Sequence, residues 1–123
     1  LMESIKEIVR ITESFEPNMI RQSAVSYHIA KTAAENGFKI ILCGEGADEV
    51  FAGYPEFTKL NSSEEIEKKI IEFLSDLHRT QLQRVDRTSM AFTTEVREPF
   101  LDIDLLKFAL QLPAGLKIKR NKQ

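Results

Sequence analysis

The sequence predicts an α/β protein that is mostly helical and has one clear strand near residues 38–43. Apolar residues recur at helical spacing through most of the chain. The stretch FKIILC is instead almost continuously apolar and is closed by a glycine, which is typical of a strand buried in a parallel sheet. A length of 123 residues, with 42% hydrophobic and 29% charged residues, fits a single globular domain over residues 1–123.

Two helices are predicted before this strand. Residues 2–15 place isoleucine and valine at amphipathic spacing, and Pro17 is expected to end that helix. Residues 19–36 form a second, alanine-rich helix, which Gly37 ends. A parallel strand needs hydrogen-bonding neighbours for its backbone. We therefore expect the neighbouring strands to lie outside these 123 residues and the chain to be a fragment of a larger domain.

Helices also dominate the chain after the strand. Ser62 and Glu65 form a capping box, and the apolar stripe that follows it continues at helical spacing towards Met90. Asp102 caps a last helix, IDLLKFALQL, which ends before Pro113. The sequence therefore predicts a short turn of helix at Ala47–Ala52, before Gly53, and then one long helix and one shorter helix in this half of the chain.

The charge and the cysteine content exclude some classes of function. A net charge of -2 gives no electrostatic reason to expect nucleic acid or an anionic membrane as the partner. No apolar run reaches the roughly 18 residues of a membrane span. Cys43 is the only cysteine, so the chain has no internal disulfide, and a cytoplasmic location is expected.

The stretch CGEGADE, directly after the predicted strand, carries the first group of candidate functional residues. Ligands of open α/β sheets bind beyond the carboxyl ends of the strands. Gly44 and Gly46 allow backbone amides to approach a phosphate, and Glu45 between them can act as a base. Asp48 offers an oxygen ligand to magnesium. In the alternative interpretation, Asp48 and Glu49 are simply first-turn acids that face a helix dipole.

A second group of candidates lies in RVDRTSMAFTTEVREPFLD. This stretch concentrates three arginines and several acids. Such a set indicates either a buried lattice of ion pairs or an anion-binding site. The candidates are Arg84, Asp86, Arg87, Glu95 and Arg97.

The two stretches together, in this order, resemble the synthetase domain of the glutamine-hydrolysing asparagine synthetase family, over roughly residues 15–120. The resemblance implies the parallel-sheet fold of the ATP pyrophosphatases, which is similar to other adenine-nucleotide α-hydrolase folds. It implies that ATP, with Mg²⁺, adenylates the side-chain carboxylate of aspartate. Ammonia released from glutamine by a separate glutaminase domain then gives asparagine and AMP.

The resemblance also assigns roles to individual residues. Glu45 matches the glutamate that acts in ammonia attack, and Asp48 matches the acid linked to magnesium and pyrophosphate. Cys43, Gly44 and Gly46 match the nucleotide-binding turn. Four residues of the second stretch match family positions that form the wall of the site or contact anions: Arg84, Arg87, Glu95 and Arg97.

The sequence departs from the family pattern at two positions and lacks one motif. Cys43 stands where the family usually has serine, so a backbone contact is retained and a hydroxyl contact is weakened. Gln81 lies near a position where many members carry an acid, and it can only hydrogen-bond. The pyrophosphate loop Ser-Gly-Gly-x-Asp-Ser is absent from the 123 residues, so we expect this chain alone to be inactive with ATP.

Two other functions remain open at this point. The chain could be a non-catalytic helical module for binding or oligomerisation, for example a homodimer or an oligomer that exchanges the strand between chains. It could also belong to a related amide-forming enzyme that resembles β-lactam synthetase. Such relatives often replace the glutamate of the turn, so Glu45 favours ammonia as the nucleophile.

Overall fold

The structure, a computed structural model, describes residues 4–118 and confirms the α/β class. The described chain divides into two compact units, residues 4–43 with His78–Arg97, and Gly44–Leu77 with residues 98–118. Between the α-helices lie 3₁₀ turns at Pro55–Lys59 and Pro99–Leu101 and a π-helical turn at His78–Leu82. The helices and strands are α1 (Ile5–Thr12), α2 (Pro17–Glu35), β1 (Ile40–Leu42), α3 (Ala47–Phe51), α4 (Ser63–Leu77), α5 (Gln83–Met90), β2 (Glu95–Arg97), α6 (Ile103–Gln111) and α7 (Ala114–Lys117).

The core of the first unit is formed by helices α1, α2 and α5. Ile8 of α1 and Ala30 of α2 are almost completely buried, as is Val85 of α5. The small alanine side chains of α2 allow the neighbouring helices to approach closely. Thr88 is fully buried in α5, and its hydroxyl donates to the carbonyl oxygen of Arg84 in the preceding turn at 2.8 Å.

The boundary between the first two helices differs from the prediction. Pro17 does not end α1 but is the first residue of α2, a position that needs no amide donor and suits the fixed φ of proline. Helix α1 ends at Thr12 because Glu13 adopts a left-handed conformation, with φ 52°. The Glu16 carboxylate then caps α2 by accepting the amide of Met19 at 2.5 Å.

The sheet contains a strand that the sequence did not predict. β2 pairs in parallel with β1, with Ile40 opposite Glu95 and Leu42 opposite Arg97. The expectation that all neighbours of β1 lie outside the chain is therefore wrong, and this pairing needs no exchange between chains. The expectation that both faces of β1 are covered is not met within the described residues. Ile40 is 45% exposed and Leu42 71% exposed, because the described sheet has only two strands.

The second unit has its own apolar core, which collects residues from α3, α4, α7 and the neighbouring turns. Phe57 is fully buried at its centre, and such a side chain contributes about 2–3 kcal/mol through the removal of its surface from water. Tyr54 and Phe73 pack against this core from its edge. The buried members are Ala52, Phe57, Ile66, Ile70, Ala114 and Ile118.

Both predicted helix caps in this unit are confirmed. Ser62 Oγ accepts the amide of Glu65 at 3.1 Å, and the Glu65 carboxylate accepts the amide of Ser62 at 3.3 Å. Asp102 Oδ1 accepts the amides of Asp104 and Leu105 at 3.0 and 3.1 Å. These bonds satisfy amides that have no partner inside the helix.

The long helix predicted to run from the capping box towards Met90 is interrupted. Helix α4 ends at Leu77, and a π-helical turn, His78–Leu82, precedes α5. A π turn inserts a residue into the hydrogen-bond ladder and changes the direction in which later side chains point. One of the three points at which the chain passes between the two compact units falls at the start of this turn.

Candidate functional site

The predicted glycine turn follows β1 and starts helix α3. Gly46 is the N-cap of α3 and has a φ of 90°, which only glycine adopts without strain. A Cβ at this position would lie 2.3 Å from Leu101 Cδ2, so close packing also requires glycine here. At Gly44 a Cβ would meet no atom within 4 Å, so the backbone of that residue lies open on the surface.

Asp48 lies in the first turn of α3, and its side chain is exposed. The backbone of Gly53 packs directly against it, because a Cβ on Gly53 would lie 2.0 Å from Asp48 Oδ1. The amides of Ala52 and Gly53 both donate to the carbonyl oxygen of Asp48, the latter at 2.8 Å. The end of α3 therefore wraps closely around the aspartate that was predicted to bind magnesium.

A hydrogen bond between Glu49 and Tyr54 is a feature of this region that sequence reasoning missed. Tyr54 Oη donates to Glu49 Oε1 at 2.6 Å, and Glu49 is only 4% exposed. Burial of the phenol raises the pKa of Tyr54, and the hydrogen bond to Glu49 and the charges of Glu49, Asp48 and Glu45 raise it further. The only sequence signal for this pair was Gly53, a residue type that ends helices and lets the chain turn back.

Glu45 occupies the turn between the two glycines and is half-buried. Its negative charge acts on the Tyr54 hydroxyl and contributes to the raised pKa of that group. Glu45, Asp48 and Glu49 therefore form an acidic cluster beside Tyr54 in the second unit.

Cys43 is half-buried and directly follows the last residue of β1. Its amide donates to the carbonyl oxygen of Arg97 at 3.0 Å and continues the parallel pairing by one bond. A contact between Cys43 and a nucleotide would therefore not come from this amide hydrogen.

Arg84 and Arg87 make contacts inside the first unit. The guanidinium of Arg84, which is 6% exposed, donates to Ser26 Oγ at 2.5 Å and to Gln81 Oε1 at 2.7 Å. Arg87 donates to the carbonyl oxygen of Thr12 and forms an ion pair with Glu13 at 3.1 Å. These contacts tie α5 to α1 and α2, but they are not a buried lattice of ion pairs: Ser26 and Gln81 are uncharged, and the side chains of the Arg87–Glu13 pair are 30% and 73% exposed.

Glu95 and Arg97 lie two residues apart on β2, and both are exposed. Arg97 Nε donates to Glu95 Oε1 at 2.7 Å. Their register opposite Ile40 and Leu42 places all four residues on the same face of the two-stranded sheet.

The predicted site residues are divided between the two units. Gly44, Glu45, Gly46 and Asp48 lie in the second unit, where the charges of Glu45 and Asp48 both act on the Tyr54 hydroxyl. The others belong to the first unit, where Cys43 and Glu95 both contact Arg97. The first-unit members are Cys43, Arg84, Arg87, Glu95 and Arg97.

A groove on α2 is a further possible binding position. A groove of about 590 Å³ runs along α2, between His28, Ile29 and Phe38, and none of the predicted site residues lines it.

Within residues 4–118, no group of three or more His, Cys, Asp or Glu side chains is arranged to hold a metal ion. Among these described residues, no helix has the length and apolar character needed to cross a membrane.

The geometry defines an α/β protein in which a glycine turn and an acidic cluster follow a parallel strand. A family model, asparagine synthase, matches residues 1–72 and 58–123. The chain therefore belongs to the asparagine synthase family.

Several curated proteins are similar to nearly the whole chain. A probable glutamine-hydrolysing asparagine synthetase of Schizosaccharomyces pombe is 31% identical over 98% of the chain, which covers 22% of that protein. Asparagine synthetase B of Escherichia coli, also named glutamine-hydrolysing, is 31% identical over 90% of the chain and 20% of its own length. A putative asparagine synthetase of Methanocaldococcus jannaschii is 35% identical over 75% of the chain and 18% of its length. The chain thus spans about a fifth of the length of these relatives.

Proposed function

We propose that this chain is part of the synthetase domain of a glutamine-hydrolysing asparagine synthetase. The observation that carries the proposal is the match of the asparagine synthase family model along the chain, in which a glycine turn with Glu45 and Asp48 follows a parallel strand. The names of the similar proteins support the same activity. A cytoplasmic location is part of the proposal.

In the proposed reaction, a side-chain carboxylate oxygen of aspartate attacks the α-phosphorus of ATP. The bond to pyrophosphate breaks, and β-aspartyl-AMP forms. Ammonia released from glutamine, in a separate glutaminase domain, then attacks the acyl carbon. The bond from that carbon to the AMP oxygen breaks, and asparagine and AMP leave.

Within this reaction, Glu45 takes the role of proton acceptor for the attacking ammonia. Its half-buried place on the turn after β1 supports this role, since ligands of such sheets bind beyond the carboxyl ends of the strands. The open backbone of Gly44 can approach the nucleotide closely. Gly46 acts mainly through the conformation of the turn, and Cys43 would contact the nucleotide only through atoms other than its amide hydrogen.

Asp48 is the residue that would hold Mg²⁺. Its exposed carboxylate fits the ion, because magnesium is usually bound by one or two protein carboxylates together with phosphates and water. When bound, the ion neutralises charge on the phosphates of ATP. Close packing of Gly53 against Asp48 fixes the direction of the carboxylate.

The residues of the first unit have supporting roles in the proposal. Arg84 and Arg87 maintain the packing of α5, as their contacts with Gln81 and Glu13 indicate. Arg97 is exposed and hydrogen-bonds Glu95 beside it. Among the three arginines, it is therefore the one that could contact an anion. The pyrophosphate loop, which the 123 residues lack, would have to be supplied by another part of the enzyme.

The experiment measures asparagine formation by the complete gene product with aspartate, Mg-ATP and either glutamine or ammonium. We expect asparagine, AMP and pyrophosphate in equal amounts. Asp48→Asn should lower the rate about ten-fold or more, because it removes a charged oxygen ligand. Glu56→Gln, which changes an exposed acid in the next turn of the same unit, is the matched control and should retain the rate.

Other results would replace the proposal. Amide formation with a carboxylate other than aspartate would indicate a related amide-forming enzyme of the β-lactam synthetase type. An absence of ATP turnover in the complete gene product would favour a non-catalytic binding or oligomerisation module.

A further inference from the structure

The Glu49–Tyr54 hydrogen bond pairs a buried carboxylate with a hydroxyl donor. Glu49 is a carboxylate that is 4% exposed, and burying such a charge without a donor would be costly. Tyr54 Oη supplies the donor at 2.6 Å, a length expected for a charge-assisted bond. The raised pKa of Tyr54 keeps its hydroxyl protonated, so it remains a donor at neutral and moderately alkaline pH.

The ring of Tyr54 is held by the apolar core of the second unit. Its centroid lies 5.1 Å from that of Phe73 on α4, and Phe73 lies 5.6 Å from the buried ring of Phe57. Aromatic contacts at these distances restrict the ring to one place. The hydroxyl that binds Glu49 is therefore anchored to α4.

The same bond closes the segment that wraps around Asp48. Between Glu49 and Tyr54 the chain reverses through Ala52, which has a strained φ of 58°. Gly53 then packs on the Asp48 carboxyl group, and its amide donates to the Asp48 carbonyl oxygen. If the Glu49–Tyr54 bond were lost, the strained reversal and the contact with Asp48 would both be free to relax.

Helix α3 also connects this pair to the glycine turn. The amide of Val50 donates to the carbonyl oxygen of Gly46 at 2.9 Å, and the amide of Ala47 donates to that of Gly44 at 3.1 Å. Gly46 is packed against Leu101, which leaves the turn little room to move independently. A displacement of the five-residue helix α3 would therefore also move Glu45.

We propose that Glu49 and Tyr54 form a positioning pair, whose hydrogen bond holds α3, the Asp48 carboxylate and the Glu45 turn in the arrangement that the reaction needs. This inference rests on the proposed function for the identity of the reaction. Neither residue contacts substrate; both act through Asp48 and Glu45.

The first test measures steady-state kinetics of asparagine formation by the complete gene product. Tyr54→Phe removes the hydroxyl and keeps the ring on Phe73, and it should lower kcat about ten-fold, the loss typical of partners that orient a ligand. KM for aspartate should change by less than about two-fold, because substrate contacts remain. Glu49→Gln keeps an oxygen that accepts the bond and should retain most of the rate, whereas Glu49→Leu should lose as much as Tyr54→Phe.

The second test reads the position of the turn without using activity. In the same purified protein, Tyr54→Phe should accelerate hydrogen exchange of the Ala47 and Val50 amides about ten-fold while the amide of Ile70 in the α4 core is unchanged. Tyr27→Phe, the same chemical change at the other tyrosine of the chain, is the control and should alter neither quantity.

The two tests separate this inference from the proposed function. If the wild-type protein forms no asparagine, the proposed function fails. The hydrogen-exchange data alone then decide whether the Glu49–Tyr54 bond holds α3 and the Glu45 turn in place. A wild-type kcat in Tyr54→Phe, or unchanged exchange at Ala47 and Val50, overturns the pair and leaves the proposed function standing. A loss of activity explained entirely by less folded protein, with normal kcat per folded molecule, also overturns it.

Discussion

Ser23 is fully buried in α2, and no polar atom of the described residues hydrogen-bonds its hydroxyl oxygen. Ser23→Ala should therefore raise the free energy of unfolding by about 1 kcal/mol, because the folded protein no longer buries an unsatisfied hydroxyl. Urea denaturation followed by circular dichroism measures this change.

The matched control is Ser26→Ala, one turn further along the same helix. Ser26 Oγ accepts a hydrogen bond from Arg84 at 2.5 Å, so its loss should lower the free energy of unfolding by about 1–2 kcal/mol. Both changes gain the same helix propensity, so the difference between them isolates the hydrogen bond. Equal effects of the two variants would mean that the Ser23 hydroxyl has a partner after all.

The titration of Tyr54 tests the electrostatics of the acidic cluster. In a Tyr27→Phe variant of the 123-residue chain, Tyr54 is the only tyrosine, and its tyrosinate absorbance should appear well above the ordinary pKa of 10.0. The raised pKa means that the folded state favours the neutral phenol. Its contribution to stability is present below about pH 10 and is lost as pH rises above that value.

Glu49→Gln in the same background removes the negative charge nearest to the phenol. The pKa of Tyr54 should then fall towards 10.0 while circular dichroism shows that the fold is retained. A pKa that stays high after this change would show that burial alone raises it and that Glu49 contributes little.

At the scale of the elements, the turn between β1 and α3 depends on glycine at position 46. Gly46→Ala would combine a φ of 90° with a Cβ placed 2.3 Å from Leu101 Cδ2. Gly37→Ala is the matched control, because Gly37 also has a positive φ of 81° but has no atom within 4 Å of the new Cβ. Urea denaturation should show Gly46→Ala to be less stable than Gly37→Ala by about 1–3 kcal/mol, the cost of overpacking. Equal losses would mean that Leu101 moves aside without cost.

The elements that the sequence predicted well are those fixed by neighbouring residues. The Ser62–Glu65 capping box and the Asp102 cap form because each cap and its helix lie within a few residues of each other. β2 was missed because its three residues, two of them charged, form a strand only through pairing with β1, more than fifty residues away. The π turn was missed because the apolar spacing continues through it.

The candidate site was predictable to a similar extent. Glu45 and Asp48 could be proposed from the sequence because a glycine turn after a strand is a local pattern, and their roles stay a prediction. The contact between Tyr54 and Glu49 was missed because it depends on a reversal of the chain direction at Ala52 and Gly53. Such a reversal produces no periodic pattern in the sequence. The internal contacts of Arg84 depend on how α2 and α5 pack, which the sequence does not specify.

At the scale of the whole molecule, the chain carries only part of the chemistry that the proposal requires. It covers about a fifth of the relatives' length and lacks the Ser-Gly-Gly-x-Asp-Ser loop that would hold the triphosphate. The purified 123-residue chain should therefore release no pyrophosphate above background with aspartate and Mg-ATP. A coupled pyrophosphate assay checks this, with a polypeptide that also contains the loop as the positive control. Turnover by the 123-residue chain alone would show that the loop is dispensable.

The most direct test of the central claim, that this domain adenylates aspartate, follows the carboxylate oxygen. The complete gene product is incubated with Mg-ATP, ammonium and aspartate that carries heavy oxygen in its side-chain carboxylate, and the products are analysed by mass spectrometry. Attack on the α-phosphorus followed by ammonia transfer must leave one labelled oxygen in AMP, and this is the result we predict. Label in inorganic phosphate, or unlabelled AMP together with asparagine, would contradict the account.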